Sequence, residues 1–217
     1  MARPKIQLNR KTDILDAAQN LFTEKSFEKT TIDDIAKYIG IGKGSVYLDF
    51  KNKDDILSAI AERHVIFIIE KLESQIKNAK APYLELLRQV LKDHITTVFD
   101  MALSHKQSHV SLIHTSYRIK QELNYLIEKW FLNIGSVIEK AANNGETKPC
   151  DDYKKLAHLI NISLQGFFPP YDIKYSTDVR TDLSKKEIRD LLLNDVSIVL
   201  EIIISGLKTA KYEEFNV

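Results

Sequence analysis

Apolar residues along this chain recur at spacings of three and four, with no sustained alternation at period two, which predicts helices throughout. The first periodic stretch carries Ile14, Leu15, Ala18, Leu21 and Phe22 on one face and stops near Lys25 and Ser26. A second, Ile32 to Ile39, turns Ile32, Ile35, Ala36 and Ile39 inward. Thr31 is its natural N-cap, and Asp34 sits three residues on, where a carboxylate suits the helix dipole. Gly40 and Gly42 flank Ile41, so the backbone turns tightly and leaves Ile41 as a plug between helices. A third short helix is expected from Lys43 to Phe50, with Val46 and Phe50 inward.

Lys51 and Asn52 separate that helix from a long one, Lys53 to Asn78, striped with Ile56, Leu57, Ile60, Ala61, His64, Ile68, Leu72 and Ile76. Pro82 suits the first turn of the next helix, whose face includes Leu84, Leu87, Leu91, His94, Ile95 and Val98. A shorter segment, Val110 to Thr115, precedes a long helix from Ile119 to Asn143, ended by Asn144 and Gly145. Asp151 or Asp152 caps a helix through Phe168, which Pro169 and Pro170 terminate. A polar stretch, Tyr171 to Ser184, leads to the last helix.

In that last helix Val196, Ile198, Val199, Leu200, Ile202, Ile203, Ile204 and Leu207 leave only the stripe Ser197, Glu201, Ser205 polar, so it is buried on more than one side. A terminal helix of this kind packs on its own chain and on a partner, and Gly166 and Gly206 permit close helix approach. A two-fold homodimer through the last two helices is expected.

Composition narrows the setting. With 44% hydrophobic and 28% charged residues the chain has the apolar material of an ordinary globular protein. Its 31 basic residues nearly balance 30 acidic ones, so any attraction to a polyanion must be local. Arg3, Lys5, Arg10 and Lys11 precede the first acid, Asp13, in the pattern of either a basic arm or a solvated tail. A lone cysteine, Cys150, excludes an intrachain disulfide framework and suits a reducing compartment. Lys11, Asp13 and Asp16 interrupt the only candidate secretion signal, and the expected location is the cytoplasm. The most apolar run, Val196 to Leu207, contains Glu201 and falls short of the roughly 20 residues that span a bilayer, so no membrane partner is expected.

The segment Thr30 to Leu57, TTIDDIAKYIGIGKGSVYLDFKNKDDIL, with ILDAAQNLFTEKSFEKTT ahead of it, resembles the DNA-binding module of the TetR-type (tetracycline-repressor) family. The resemblance is strong over residues 10 to 60; beyond them only the helical layout is shared. It implies an all-α fold with an N-terminal three-helix helix-turn-helix DNA-binding domain, residues 1–53. A long helix would join this to a C-terminal helical effector-binding and dimerisation domain, residues 54–217.

The physics of duplex recognition agrees, because the major groove admits one helix and a short helix held crosswise on another presents it. The helix starting at Lys43 is then the recognition element. Lys43 adds a cation near phosphate, Gly42 and Gly44 let the nucleic-acid backbone approach, and Ser45 offers a hydroxyl to a phosphate or a base edge. Tyr47 either reaches a phosphate, as an aromatic at this position does in the family, or packs on the second helix. Leu48 faces outward and suits a thymine methyl. Thr31 and Lys53, at the starts of two helices, are further candidates for phosphate contact. Asp49 departs from the family, which commonly has Tyr or His there; it either accepts from a cytosine N4 or turns away.

By the same resemblance, the later helices hold an effector pocket and a dimer interface. Candidate walls are Phe99, Met101, Tyr117, Tyr125, Trp130, Phe131, Phe167 and Phe168, since apolar sites are usually lined by aromatics; plain core is the other reading of the same residues. His105 and His109 lie four apart, with His94 and His114 in neighbouring segments, but no cysteine or carboxylate cluster completes a metal site. Cys150 is incidental. No nucleophile elbow, phosphate loop or paired metal ligands occur, so no cofactor and no enzyme are expected. The expected function is a ligand-responsive repressor that binds a palindromic double-stranded DNA operator as a homodimer and is released by a small apolar or aromatic effector. The alternative is a helix-turn-helix activator or architectural protein without an effector.

Overall fold

The computed structural model describes residues 10–104, 117–168 and 184–209. These contain nine α-helices and no strand: α1 (Arg10–Lys25), α2 (Ile32–Ile39), α3 (Lys43–Tyr47), α4 (Lys53–Lys77), α5 (Tyr83–Ser104), α6 (Tyr117–Glu122), α7 (Asn124–Asn143), α8 (Tyr153–Ser163) and α9 (Lys185–Thr209). A single 3₁₀ turn, Gln165–Phe167, follows α8. The expected segment Val110 to Thr115, Pro169 and Pro170, and the stretch from Tyr171 up to Ser184 lie outside the described residues.

The chain divides into two compact units, one of Met1–His64 with Ala102–Leu123 and one of Val65–Met101 with Asn124–Val217. In the first, Ile14, Ala18, Phe22, Ile35, Val46, Ile56 and Ile60 are all but inaccessible. Burying such Val, Ile and Phe side chains supplies roughly 1.5–3 kcal/mol each. Thr30 is the buried polar residue of this unit, and its hydroxyl donates to the carbonyls of Leu21 and Ser26, so that group keeps its hydrogen bonds where α1 and α2 meet.

Local chemistry sets the ends of the helices. Thr31 caps α2 in a full capping box: its hydroxyl accepts from the Asp34 amide at 3.1 Å, and the Asp34 carboxylate accepts from the Thr31 amide at 2.9 Å. Those Thr31 bonds pull the Asp34 carboxyl down to about 2. Gly40 ends α2 at φ 73°, a left-handed conformation that costs glycine little, and the Ile41 amide reaches back to the Ala36 carbonyl at 3.0 Å. Gly42 is extended at φ −73°, so only one of the two glycines is demanded by backbone geometry. Ile41 is half-buried rather than a sealed plug.

Several expected boundaries move. The third helix closes at Tyr47 instead of Phe50, because the chain tightens into a turn in which the Asp49 and Phe50 amides both donate to the Val46 carbonyl, carrying Phe50 into the core. In the second half of α4, Ile69 is buried where Ile68 was expected. The helix expected from Ile119 to Asn143 is broken at Leu123 into α6 and α7, and that break is also one of the three points where the chain passes between the two units. Pro82 lies one residue ahead of α5, and Glu146 instead holds the helix start by accepting from the Tyr83 and Leu84 amides, both at 2.8 Å. Asp152, of the two candidates, caps α8, accepting from the Lys155 amide at 2.8 Å.

The core of the second unit includes Leu87, Leu91, Ile95, Ile134, Ile138, Val196, Leu200 and Ile204. Gly135 lets α7 meet α8, since a Cβ there would lie 3.1–3.2 Å from backbone atoms of Tyr153 and Lys154. Those atoms belong to a capped helix start and yield little. Gly135→Ala is therefore expected to destabilise the protein by about 1 kcal/mol even after the helix-propensity gain of alanine, lowering Tm by roughly 2–4 °C in a thermal melt.

Candidate nucleic-acid interface

α2 contacts both α1 and α3, the arrangement that supports a short helix crosswise on a longer frame. Val46 is fully buried and anchors α3 from its inner side. Four residues apart on the same helix, Lys43 and Tyr47 share the outer side: the ammonium lies 5.8 Å from the Tyr47 ring centroid. Tyr47 is 47% exposed and Leu48 75% exposed, so neither is a core residue. Ser45 is half-buried, while Gly42 and Gly44 are exposed, and a Cβ at either would meet no atom within 4 Å. The sequence candidates at 42–45, 47 and 48 thus come together on one short segment with its inner side sealed.

Three other candidates have partners inside the module. The Thr31 hydroxyl proton goes to the Asp34 carboxylate at 2.7 Å, leaving its oxygen to cap α2. The Lys53 ammonium, expected to face phosphate, donates to the carbonyls of Phe27, Glu28 and Thr30 and lies 4.3 Å from the Phe27 ring centroid. It neutralises the carbonyl-rich turn between α1 and α2, a role that a position at the start of α4 does not announce. Asp49 has turned to Arg10, the first residue of α1, in a two-point ion pair of 2.6 and 3.2 Å.

Charge around the module is organised in short pairs: Lys37 with Asp33 at 2.6 Å, Lys25 with Asp34 at 3.4 Å, and Arg63 of α4 with Asp16 of α1. Arg118 of α6 bridges Asp55 at 2.9 Å and Glu122 at 2.7 Å, tying α6 to the first turn of α4. Tyr38 on α2 is 54% exposed. The inward positions Ile35, Ala36 and Ile39 already imply its outward direction, so this residue was available from periodicity and was missed.

Of the expected pocket residues, Phe99, Trp130, Phe131 and Phe168 are buried in the second unit, and Met101 and Phe167 are half-buried. Ring contacts link His94 to Trp130 and Phe168 at 5.1 and 5.2 Å, Trp130 to Phe131 at 5.3 Å, and Phe131 to His158 at 4.9 Å. Tyr117 belongs to the first unit and is exposed, with its hydroxyl accepting from the Gln121 side chain at 2.9 Å; Tyr125 is also exposed. Neither is a wall of the buried cluster. His105, His109 and His114 lie outside the described residues, among which no group of His, Cys, Asp or Glu could hold a metal ion. Cys150 is half-buried and burial pushes its thiol pKa up, away from the reactive thiolate. Among the described residues no helix is long and apolar enough to cross a membrane.

A family model described as bacterial regulatory proteins, tetR family, matches residues 14–60. The chain is 27% identical over 197 residues to the fatty acid metabolism regulator protein of Bacillus subtilis, covering 89% of this chain and 93% of that one. Among solved structures, the transcriptional regulator FadR from Bacillus subtilis in complex with stearoyl-CoA superposes with a TM-score of 0.57 at 18% identity, over 91% of this chain and 97% of that one. A TetR-family transcriptional regulator from Pectobacterium atrosepticum gives a TM-score of 0.63 at 18% identity, over 97% and 99%.

Proposed function

Given that this chain belongs to the tetR family of bacterial regulatory proteins, we propose that it is a repressor that grips a palindromic operator as a homodimer and lets go when a long-chain acyl thioester of coenzyme A binds its second unit. It is a DNA-binding transcriptional regulator and not an enzyme. The observation that carries the reading is α3: Val46 is sealed inward, while Lys43, Tyr47 and Leu48 project from a segment short enough for a major groove. Lys43 and Tyr47 hold phosphates, Gly42 and Gly44 admit the backbone, and Ser45 and Leu48 read bases. Thr31 and Lys53 hold the frame that presents them.

Dimerisation falls to α8 and α9. Leu159 and Ile162 of α8 are exposed, as are Leu191, Ile198 and Ile202 of α9. Large apolar side chains grouped on terminal helices mark a contact surface. Gly166 and Gly206 have nothing near a would-be Cβ, which leaves room for a second backbone.

The effector class follows from chemistry and kinship together. The buried run of Phe99, Trp130, Phe131 and Phe168 suits an alkyl chain, and a relative matched along nearly its whole length is a fatty acid metabolism regulator. Micromolar stearoyl-CoA is expected to weaken operator binding at least about tenfold in fluorescence anisotropy, with free coenzyme A inert. Unchanged affinity with stearoyl-CoA would remove the acyl thioester from the account and leave the DNA-binding assignment standing.

A further inference from the structure

Asp49 is the only acid between Gly42 and Phe50, and it stands at the end of the segment that the function above places against DNA. A bare carboxylate there is repelled by every neighbouring phosphate. Both of its oxygens are instead occupied by one guanidinium, with Arg10 Nε donating to Oδ2 at 2.6 Å and an Arg10 terminal nitrogen donating to Oδ1 at 3.2 Å. The two residues lie 39 positions apart, and the pair joins the start of α1 to the end of the recognition segment. The next residue, Lys11, lies 5.7 Å from the Phe50 ring centroid, so two consecutive side chains of α1 engage the two residues that follow Leu48. Arg10 holds the Asp49 carboxyl below its ordinary range, and Asp49 raises the guanidinium in return; the Asp49 side chain is the more enclosed of the two.

We propose that Arg10 is a positioning residue for DNA recognition: its two-point pairing with Asp49 cancels the carboxylate and holds it off the base edges, so that Asp49 reads no cytosine and is tolerated beside phosphate only while Arg10 is present. This rests on α3 being the recognition element. The planar guanidinium fork matters because a lysine would offer a point charge without the two-point hold. The pair is at the surface, where it adds little to folding stability; its effect is on the potential that the operator meets. Removing Arg10 exposes one negative charge per half-site, removing Asp49 as well takes that charge away, and a cycle of the two substitutions separates neutralisation from any independent role of Arg10.

The test is selection from random-sequence DNA, followed by anisotropy titrations at fixed salt, with wild type, Arg10→Gln, Asp49→Asn and the double variant. Arg10→Gln is expected to lose about tenfold in affinity evenly across sequences. Asp49→Asn in that background is expected to restore affinity to within about twofold of wild type, and the selected sequence is expected to be the same for all four proteins. The inference is overturned if Asp49→Asn changes the preferred base at any one position, if Arg10→Gln binds as wild type does, or if the double variant is no better than Arg10→Gln. Should wild type itself enrich no sequence, the recognition reading of α3 fails and takes this pairing role with it. If wild type enriches an operator and the cycle shows no coupling, only the pairing role fails.

Discussion

Replacing Tyr47 with alanine is expected to weaken operator binding by at least about a hundredfold while leaving the fold and the oligomeric state unchanged. The ring is 47% exposed and lies against the Lys43 ammonium, so its loss opens no cavity in the core. A hydroxyl bonded to a phosphate contributes roughly 1.5–3 kcal/mol, and a two-fold dimer loses that contact twice. The consequence is a large affinity change with a near-constant thermal melt. Tyr47→Phe, which keeps the ring and removes only the hydroxyl, divides the effect between positioning of Lys43 and direct contact. Full affinity in the alanine variant would move recognition away from α3, and a collapsed melting temperature would return Tyr47 to the core.

The second large effect concerns the dimer. Ile202 is 66% exposed on α9, whereas Ile203 is half-buried within its own unit, which makes Ile202 the position to charge. Ile202→Glu puts a carboxylate into a proposed apolar contact on both sides of the two-fold axis, and an unpaired buried charge costs several kcal/mol. The dimer dissociation constant is expected to rise by at least about a thousandfold, as seen by sedimentation at micromolar concentration. Operator affinity falls with it, because each half-site alone is held weakly. A dimer that survives the charge would place the interface on a different face.

The helix-turn-helix was legible because its signals are local. Ile32, Ile35 and Ala36 at helical spacing, Thr31 with Asp34 three residues on, and Gly40 at a left-handed stop each act within a few residues of chain. Apolar side chains at 14, 18, 22, 35 and 46 had to face inward once those helices formed, and Leu48 then had to face outward. What escaped the sequence depends on contacts between distant positions. Asp49 meets Arg10, Lys53 meets carbonyls more than twenty residues away, and Glu146 meets the amides that open α5; no spacing rule connects any of these partners. Gly135 was missed for a related reason, since its need arises from the α8 backbone passing close by and not from its own conformation.

Periodicity also overstated continuity. The apolar pattern runs unbroken through Leu123, but the backbone separates α6 from α7 there, and α6 belongs to the first unit, where Arg118 bridges to Asp55. A hydrophobic residue at the end of one helix looks the same in sequence as one in the middle of a longer helix. Likewise, Tyr117 and Tyr125 have the composition of pocket walls and are exposed in the fold. Buried aromatic character in the second unit belongs instead to Phe99, Trp130, Phe131 and Phe168.

The most direct test of the central claim, that α3 presents a DNA-reading surface in a two-fold assembly, is to select fragments of the source genome on the purified protein and sequence what is retained. The predicted result is one enriched inverted repeat whose half-site centres lie about one helical turn, or a whole number of turns, apart, and which is lost with Tyr47→Ala. Enrichment of no sequence, or of an unrepeated one that Tyr47→Ala retains equally well, would contradict it.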